Sequence, residues 1–305
     1  MNLKDLIYVI AVAETHHFGR AAERCFVSQP TLSGQIKKLE ETLGVTIFER
    51  TNRSVEITPI GEAIVDHARK MVEQADAIKQ LAQAHQDPLA GPLRIGAIPT
   101  ISPYLLPLIL KPLKKDFPQM NLVLSEEVTD TLLQRLRHHE IDAALLATEE
   151  NEPGLDAMPL FKEPFWLAYG RKHELNRSKE IQRKDLERHD LLLLAEGHCL
   201  ARQAMEVCRI RERSEQGQLA DLRAASLETL MQLVEAGFGC TLVPALAANA
   251  FKNMGRDVTL HPLTFRHAYR RIFLIHRSTF PRKQALEALA HTITQRLPEN
   301  VELLR

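Results

Sequence analysis

The chain has 305 residues, 45% of them hydrophobic and 26% charged, with 39 Lys plus Arg against 39 Asp plus Glu. That length suggests about two domains with room for a sizeable core, and the even charge balance implies no acidic partner for the molecule as a whole. Four cysteines are too few for a secreted disulfide scaffold and fit a cytoplasmic, reducing compartment, while the short N-terminal apolar run, broken by Lys4, Asp5 and Glu14, is neither signal peptide nor membrane span.

Leu3, Leu6, Ile7, Ile10, Ala11 and Ala13 recur at helical spacing and predict a first helix ending near His16. Residues 18–25 form a second short helix and Phe26-Val27 a turn. Ser28-Gln29-Pro30-Thr31 then opens a third helix with an N-cap serine and a proline in its first turn, running to Leu39 or Glu40. Leu32, Ile36 and Leu39 face inward, which leaves Gln29, Thr31, Ser33, Gln35, Lys37 and Lys38 outward, the form of a helix-turn-helix whose second helix enters the DNA major groove. Residues 45–58 alternate as a small hairpin, or wing, with Thr51-Asn52-Arg53 at its tip, and Arg50 and Arg53 would lie along phosphates. Residues 1–58 carry seven basic and seven acidic residues, so any basic footprint is local.

Phe18-Gly19-Arg20-Ala21-Ala22, Ser28-Gln29-Pro30-Thr31-Leu32-Ser33, Ile36-Lys37-Lys38-Leu39-Glu40, Leu43-Gly44-Val45 and Phe48-Glu49-Arg50 together resemble the DNA-binding domain of LysR-type transcriptional regulators. From Thr58-Pro59 a long helix follows, in which Ile64, Ala68, Met71, Ala75, Ile78 and Ala82 step by four and three. This is a short coiled-coil seam able to pair two chains through residues 59–85. Residues 87–92, rich in proline and glycine, break the helix as a hinge.

Beyond the hinge, strands at 93–98, 122–126 and 143–146 alternate with helices at 104–117 and 132–139, an α/β unit with a parallel sheet. Ligands bind beyond the carboxyl ends of such strands, where Thr100 and Thr129 fall; either alone reads as an N-cap. A second α/β set spans about 162–265, with strands near 166–169, 191–194, 223–225 and 241–243, and a strand at 271–276 and helix at 284–295 close the chain. Glu235-Ala236-Gly237-Phe238-Gly239-Cys240 resembles a glycine-bearing turn of LysR-type effector domains, so Cys240 reads as a core strand residue and Cys25 as core too.

Residues 200–208 are good helix formers, so Cys199 stands near a helix N-terminus, where unpaired N–H groups favour a thiolate and a thiol pKa can fall to roughly 3.5–7.5. Nine helical steps of about 1.5 Å separate Cys199 from Cys208 by about 13 Å, whereas a disulfide needs Cα atoms within about 7 Å. The pair therefore cannot bond without local refolding. Both being inert packed thiols is the other reading.

The LysR-type resemblance covers essentially the full length. It implies a winged helix-turn-helix at 1–58, a dimerisation helix and hinge at 59–92, and a two-lobed α/β effector domain like periplasmic binding proteins at 93–305. Lobe I would be about 93–161 with 268–305, and lobe II about 162–267. It also implies double-stranded promoter DNA as partner, contact with RNA polymerase, and a homodimer assembling into a homotetramer.

Gly197-His198-Cys199 followed by Cys208, preceded by Ile98-Pro99-Thr100 and Pro103-Tyr104-Leu105-Leu106-Pro107, resembles the members of this family that sense hydrogen peroxide. That likeness implies Cys199 as the peroxidatic and Cys208 as the resolving cysteine, with Thr100, Thr129 and His198 positioning peroxide and Arg270, or its neighbour Arg271, activating it. It further implies reversal by a cytosolic thiol reductant, an activator of oxidative-stress genes, no turnover enzyme, no cofactor and no metal. The alternative within the family is a regulator of a small organic anion with inert cysteines.

Overall fold

The computed structural model describes every residue except 51–54, 151, 178–179, 187–190, 210–222, 256 and 305. Its contacts separate two units, Met1–Gln86 and Asp87–Arg305.

In the first unit, α1 (Leu3–Thr15), α2 (Phe18–Arg24) and α3 (Gln29–Leu43) each begin on a side-chain cap. Asn2 and Asp5 form a reciprocal capping box, the His17 ring accepts from the Gly19 and Arg20 N–H groups, and Ser28 Oγ accepts from Thr31 N–H. His17 is thus an exposed helix cap. The third helix runs a turn past its expected end and stops at Gly44, whose left-handed φ of 70° suits glycine. There the Glu40 carboxylate accepts from the Ile47 and Phe48 N–H groups and fixes the chain's exit.

β1 (Phe48–Arg50) and β2 (Val55–Ile57) pair antiparallel as the expected wing. Its tip, with Arg53, lies outside the described residues. Leu32, Ile36 and Leu39 of α3 pack with Val9, Val12, Phe48 and Val65 in a single core. α4 (Pro59–Gln86) is anchored there at its start by Val65 and by Arg69, whose Nη1 donates to Glu14 Oε1 at 2.7 Å. Farther along, Met71 and Ile78 of the apolar seam are 48% and 68% exposed, so the stripe is not spent on its own unit.

The second unit starts with β3 (Gly91–Ala97), α5 (Ser102–Asp116), β4 (Met120–Glu126), α6 (Thr129–Arg137) and β5 (Ala143–Leu146), with β3 parallel to both β4 and β5. There follow β6 (Leu155–Gly170), α7 (Arg183–Leu186), β7 (Leu193–Leu194), α8 (Cys199–Cys208), β8 (Arg223–Ala224), α9 (Leu227–Glu235), β9 (Cys240–Pro244) and α10 (Ala245–Lys252). β10 (Val258–Pro262), β11 (Tyr269–Arg277), α11 (Lys283–Gln295) and β12 (Glu302–Leu303) complete it.

The main sheet runs β10-β6-β11-β5-β3-β4, and β6 is its spine. The first part of β6 pairs with β11 beside the parallel strands, while its last residues pair with β9 and β10. Two apolar cores result. One gathers β3, β5, α5, α6 and α11; the other gathers the end of β6 with α8, α9 and β9. The sequence predicts strand only at 166–169 because Pro159 and Pro164 interrupt the earlier stretch; the fold accommodates Pro159 beside a register shift at Ile272/Phe273.

Of the residues expected as a hinge, Gly91 and Pro92 instead open β3, and the whole segment from Asp87 belongs to the second unit. Arg282 lies buried beneath it, where Nη1 donates to the Pro92 carbonyl at 2.6 Å and Nε reaches the Pro88 carbonyl at 3.4 Å. Its Nη2 has no partner among the described residues. Burial lowers its pKa, and the nearby Asp142 and Asp87 oppose that shift.

Candidate functional site

Gly197, at φ 90°, turns the chain into α8 through a backbone region that a residue bearing Cβ takes only with strain. His198 then becomes the N-cap and Cys199 the first helical residue. A cleft of about 620 Å³ opens at this point. Thr129, Asp130, Leu133, Gln134 and Arg137 of α6 line one side with Thr148, Glu150 and Glu152, and Gly197, His198, Cys199 and Arg202 line the other. Arg137 and Glu152 are paired at 2.6 Å, and Thr148 donates to Glu150.

Arg270, on β11, exerts the largest favourable electrostatic pull on the Cys199 thiolate and is not among the residues lining this cleft. Its Nη1 donates to Thr100 Oγ1 at 2.7 Å and its Nη2 to the Thr100 carbonyl at 2.9 Å. Because the Thr100 oxygen accepts from a cation, its own O–H is left to donate elsewhere. Nε of the same guanidinium is bonded to Glu163 Oε2 at 2.8 Å. Arg271, one residue along the strand, faces the opposite side and meets Glu149 at 2.8 Å in an exposed pair. Strand alternation therefore selects Arg270 of the two candidates as the residue beside Cys199.

Neither threonine is a helix cap. Thr100 sits in the turn after β3, and Thr129 is the first residue of α6 with Val128 at the N-cap. The Thr129 Oγ1 is buried and makes no full hydrogen bond to the described residues, yet it lies within electrostatic reach of the Cys199 sulfur.

The helix start alone predicts an acidified thiol at Cys199. Burial works against that expectation and pushes this thiol up, against the opposing pull of Arg270 first, then Thr129, Arg202 and its own backbone N–H. Burial likewise lowers the His198 pKa, against the weaker influence of the Ala225 carbonyl, so the ring is neutral at neutral pH. Cys208, at the far end of α8, is buried in the second core, and its thiol is pushed up to about 12 by desolvation. Cys199 packs against the first core. All four cysteines are unbridged.

The sequence reading missed Glu163, Arg202 and Gln203. Gln203 Nε2 donates to the Ala147 carbonyl at 2.8 Å, tying α8 to the end of β5. The available signal for Glu163 was one acidic residue set in the apolar run around Phe161 and Phe165; the other two carried none.

In the first unit, Gln29, Thr31, Gln35, Lys37 and Lys38 are exposed and Ser33 is half-buried. At 100° per residue, Gln29, Ser33 and Lys37 form one stripe and Thr31, Gln35 and Lys38 another, on the two flanks of the buried Leu32-Ile36-Leu39 stripe. Thr31 Oγ1 is also bonded to Ser28 Oγ at 2.8 Å, so part of its hydrogen-bonding capacity serves the cap. Arg50 is on β1.

Residues 3–62 match the bacterial regulatory helix-turn-helix protein, lysR family, and residues 86–298 match the LysR substrate binding domain. The hydrogen peroxide-inducible genes activator of Pectobacterium carotovorum subsp. carotovorum is 40% identical over 305 residues, covering 100% of this chain and 99% of the relative. A full-length Pseudomonas aeruginosa OxyR carrying a cysteine-to-aspartate substitution superposes with a TM-score of 0.79 at 38% identity, covering 100% of this chain and 98% of that one. A cysteine-to-serine mutant of Corynebacterium glutamicum OxyR, solved with hydrogen peroxide bound, gives 0.64 at 34% identity, covering 97% and 92%. The chain belongs to the LysR family of bacterial helix-turn-helix transcriptional regulators, in its OxyR branch.

Proposed function

We propose that this regulator senses hydrogen peroxide by reversible disulfide formation between Cys199 and Cys208 and activates oxidative-stress genes. The observation that carries the reading is the buried Arg270–Thr100 fork beside Cys199, on a helix whose opposite end holds the second thiol. The Cys199 sulfur attacks one peroxide oxygen, the O–O bond breaks, and the leaving oxygen departs as water with the thiol proton. Arg270 and the Thr100 hydroxyl stabilise charge developing on that oxygen, while Thr129 and neutral His198 orient the peroxide. The resulting sulfenic acid condenses with the Cys208 thiol to a disulfide and a second water. A cytosolic thiol reductant returns two electrons and resets the switch.

Bond formation dismantles at least part of α8, because its ends are about 13 Å apart in the helix. Leu200, Ala204 and Val207 must then leave the second core, and the Gln203–Ala147 tie is lost. In the assembled regulator this repacking alters subunit contacts, and with them the spacing of the reading helices. Gln29, Thr31, Ser33 and Gln35 read double-stranded promoter DNA; Lys37, Lys38, Arg50 and Arg53 hold phosphates. The exposed seam of α4 pairs two chains, two pairs make a homotetramer, and the oxidised form engages RNA polymerase. A mass-spectrometric disulfide map after brief treatment with stoichiometric peroxide tests the reading: a Cys199–Cys208 bridge is expected, and unreacted thiols at both positions would refute it.

A further inference from the structure

Glu163 stands opposite Arg270 in the β6–β11 ladder, and both side chains have 0% exposure. Each carboxylate oxygen takes a different donor. Oε2 accepts from Arg270 Nε at 2.8 Å, and Oε1 accepts from the Leu246 N–H at 2.8 Å, in the first turn of α10. A carboxylate is acceptor-only and satisfies both; a carboxamide would turn an NH₂ group against one of them.

The guanidinium is thereby held at three points, Nε on Glu163 and both terminal nitrogens on Thr100. Three contacts fix the plane of a planar group. They leave one N–H on each terminal nitrogen uncommitted to these partners, and Arg270 is the largest influence opposing the burial of the Cys199 thiol. The carboxylate also compensates a cation that is costly to bury alone, and it tempers the positive field that the sulfur feels.

We propose that Glu163 is the positioning residue for Arg270 in the peroxide reaction, locking the guanidinium against the Thr100 hydroxyl and tying it to the start of α10. This rests on the peroxide-sensing reading and adds to it a residue that touches neither sulfur nor peroxide. A purely structural Glu163 would lower the melting temperature and leave the chemistry of Cys199 unchanged. A positioning Glu163 changes the rate and pH profile of that chemistry in folded protein.

The test is stopped-flow oxidation of Cys199 by hydrogen peroxide in the full-length protein, followed from neutral to alkaline pH. Glu163→Gln should slow oxidation roughly tenfold or more, the scale of one lost charge-assisted hydrogen bond, and shift the pH midpoint. Glu163→Asp, which keeps the charge but retracts it, should fall between the two. Arg270→Lys should be slow by itself, and adding Glu163→Gln to it should cost little more, because the two act as one unit. A wild-type rate and pH profile in folded Glu163→Gln, or losses that multiply in the double variant, would overturn the inference alone. Should the Gln variant fail to fold, the Asp variant decides: a slowed, shifted profile supports positioning and a wild-type profile refutes it. A wild-type Cys199 that does not react with peroxide would overturn both this inference and the reading beneath it.

Discussion

Cys199 and Cys208 are the first and last residues of α8 and pack into different cores, Cys199 against the one under β3 and β5, Cys208 within the one under the end of β6. A sulfenic acid formed at one end has no thiol within reach until the helix opens. Oxidation should therefore be biphasic, with a first phase proportional to peroxide concentration and a second independent of it. Glu206→Gly, on the exposed side of the helix, weakens it by about 1 kcal/mol and should speed only the second phase, roughly fivefold. Rapid quench with mass spectrometry resolves the phases; a single peroxide-dependent phase would contradict the helix-opening step.

Burial holds the Cys199 thiol up, so the thiolate fraction grows as pH rises, and the first phase should accelerate from neutral toward alkaline pH. Cys208 adds a stability effect. Its folded pKa is raised from 9.0 to about 12, so the protonated form favours folding. That contribution is complete below pH 9 and is lost as pH climbs from 9 toward 12. Thermal melts of reduced protein should show Cys208→Ala losing less stability than wild type across this window.

Adjacent arginines on β11 should behave differently. Arg270→Lys keeps a charge but cannot reproduce the fork onto Thr100 and Glu163, and should slow Cys199 oxidation by roughly tenfold or more. Arg271→Ala breaks an exposed pair with Glu149 and a cation–π contact with the Phe273 ring at 5.4 Å, and should change stability by about 1 kcal/mol and the oxidation rate little. Equal effects in stopped-flow assays would contradict the strand-face argument.

His139 adopts a left-handed φ of 58°, and its pKa is lowered to about 3 by desolvation, with the Arg277 and His138 charges adding to the effect. A depressed folded pKa gives stability that is present above the ordinary 6.5 and is lost as pH falls toward 3. His139→Asn keeps a residue tolerant of that backbone and removes the titration. Urea melts of the variant should show a shallower acid limb than wild type.

On the proposed reading each stripe of α3 combines base readers with one phosphate-holding lysine, Lys37 on one and Lys38 on the other, so the two roles separate by residue type. Replacing Gln29 or Ser33 with alanine should erode discrimination between sites by about 1–3 kcal/mol per lost base contact, whereas Lys38→Ala should weaken all sequences alike and flatten the salt dependence. Titrations against matched and scrambled duplexes at several salt concentrations make the comparison.

Elements with strong local signals were legible in the sequence. Ser28 and Pro30 mark the start of α3, and the run of helix formers after Cys199 marks α8, because caps and propensity act within a few residues. What escaped is non-local. The early half of β6 was hidden by Pro159 and Pro164, and Glu163 became meaningful only when β11 brought Arg270 opposite it. The effect of burial on the Cys199 thiol is non-local in the same way. A helix terminus can be read from neighbours in sequence, but desolvation depends on what packs around the sulfur.

The guanidinium of Arg282 has a practical consequence for dissecting the protein. Its acceptors, the Pro88 and Pro92 carbonyls, belong to the segment where an effector fragment would ordinarily be trimmed. A chain begun at residue 93 would strand a buried cation whose Nη2 already lacks a partner among the described residues, while one begun at Asp87 retains both acceptors. The shorter fragment should accumulate as insoluble or protease-sensitive material and the longer one as folded protein, so six residues of apparent connector decide whether the sensing half survives on its own.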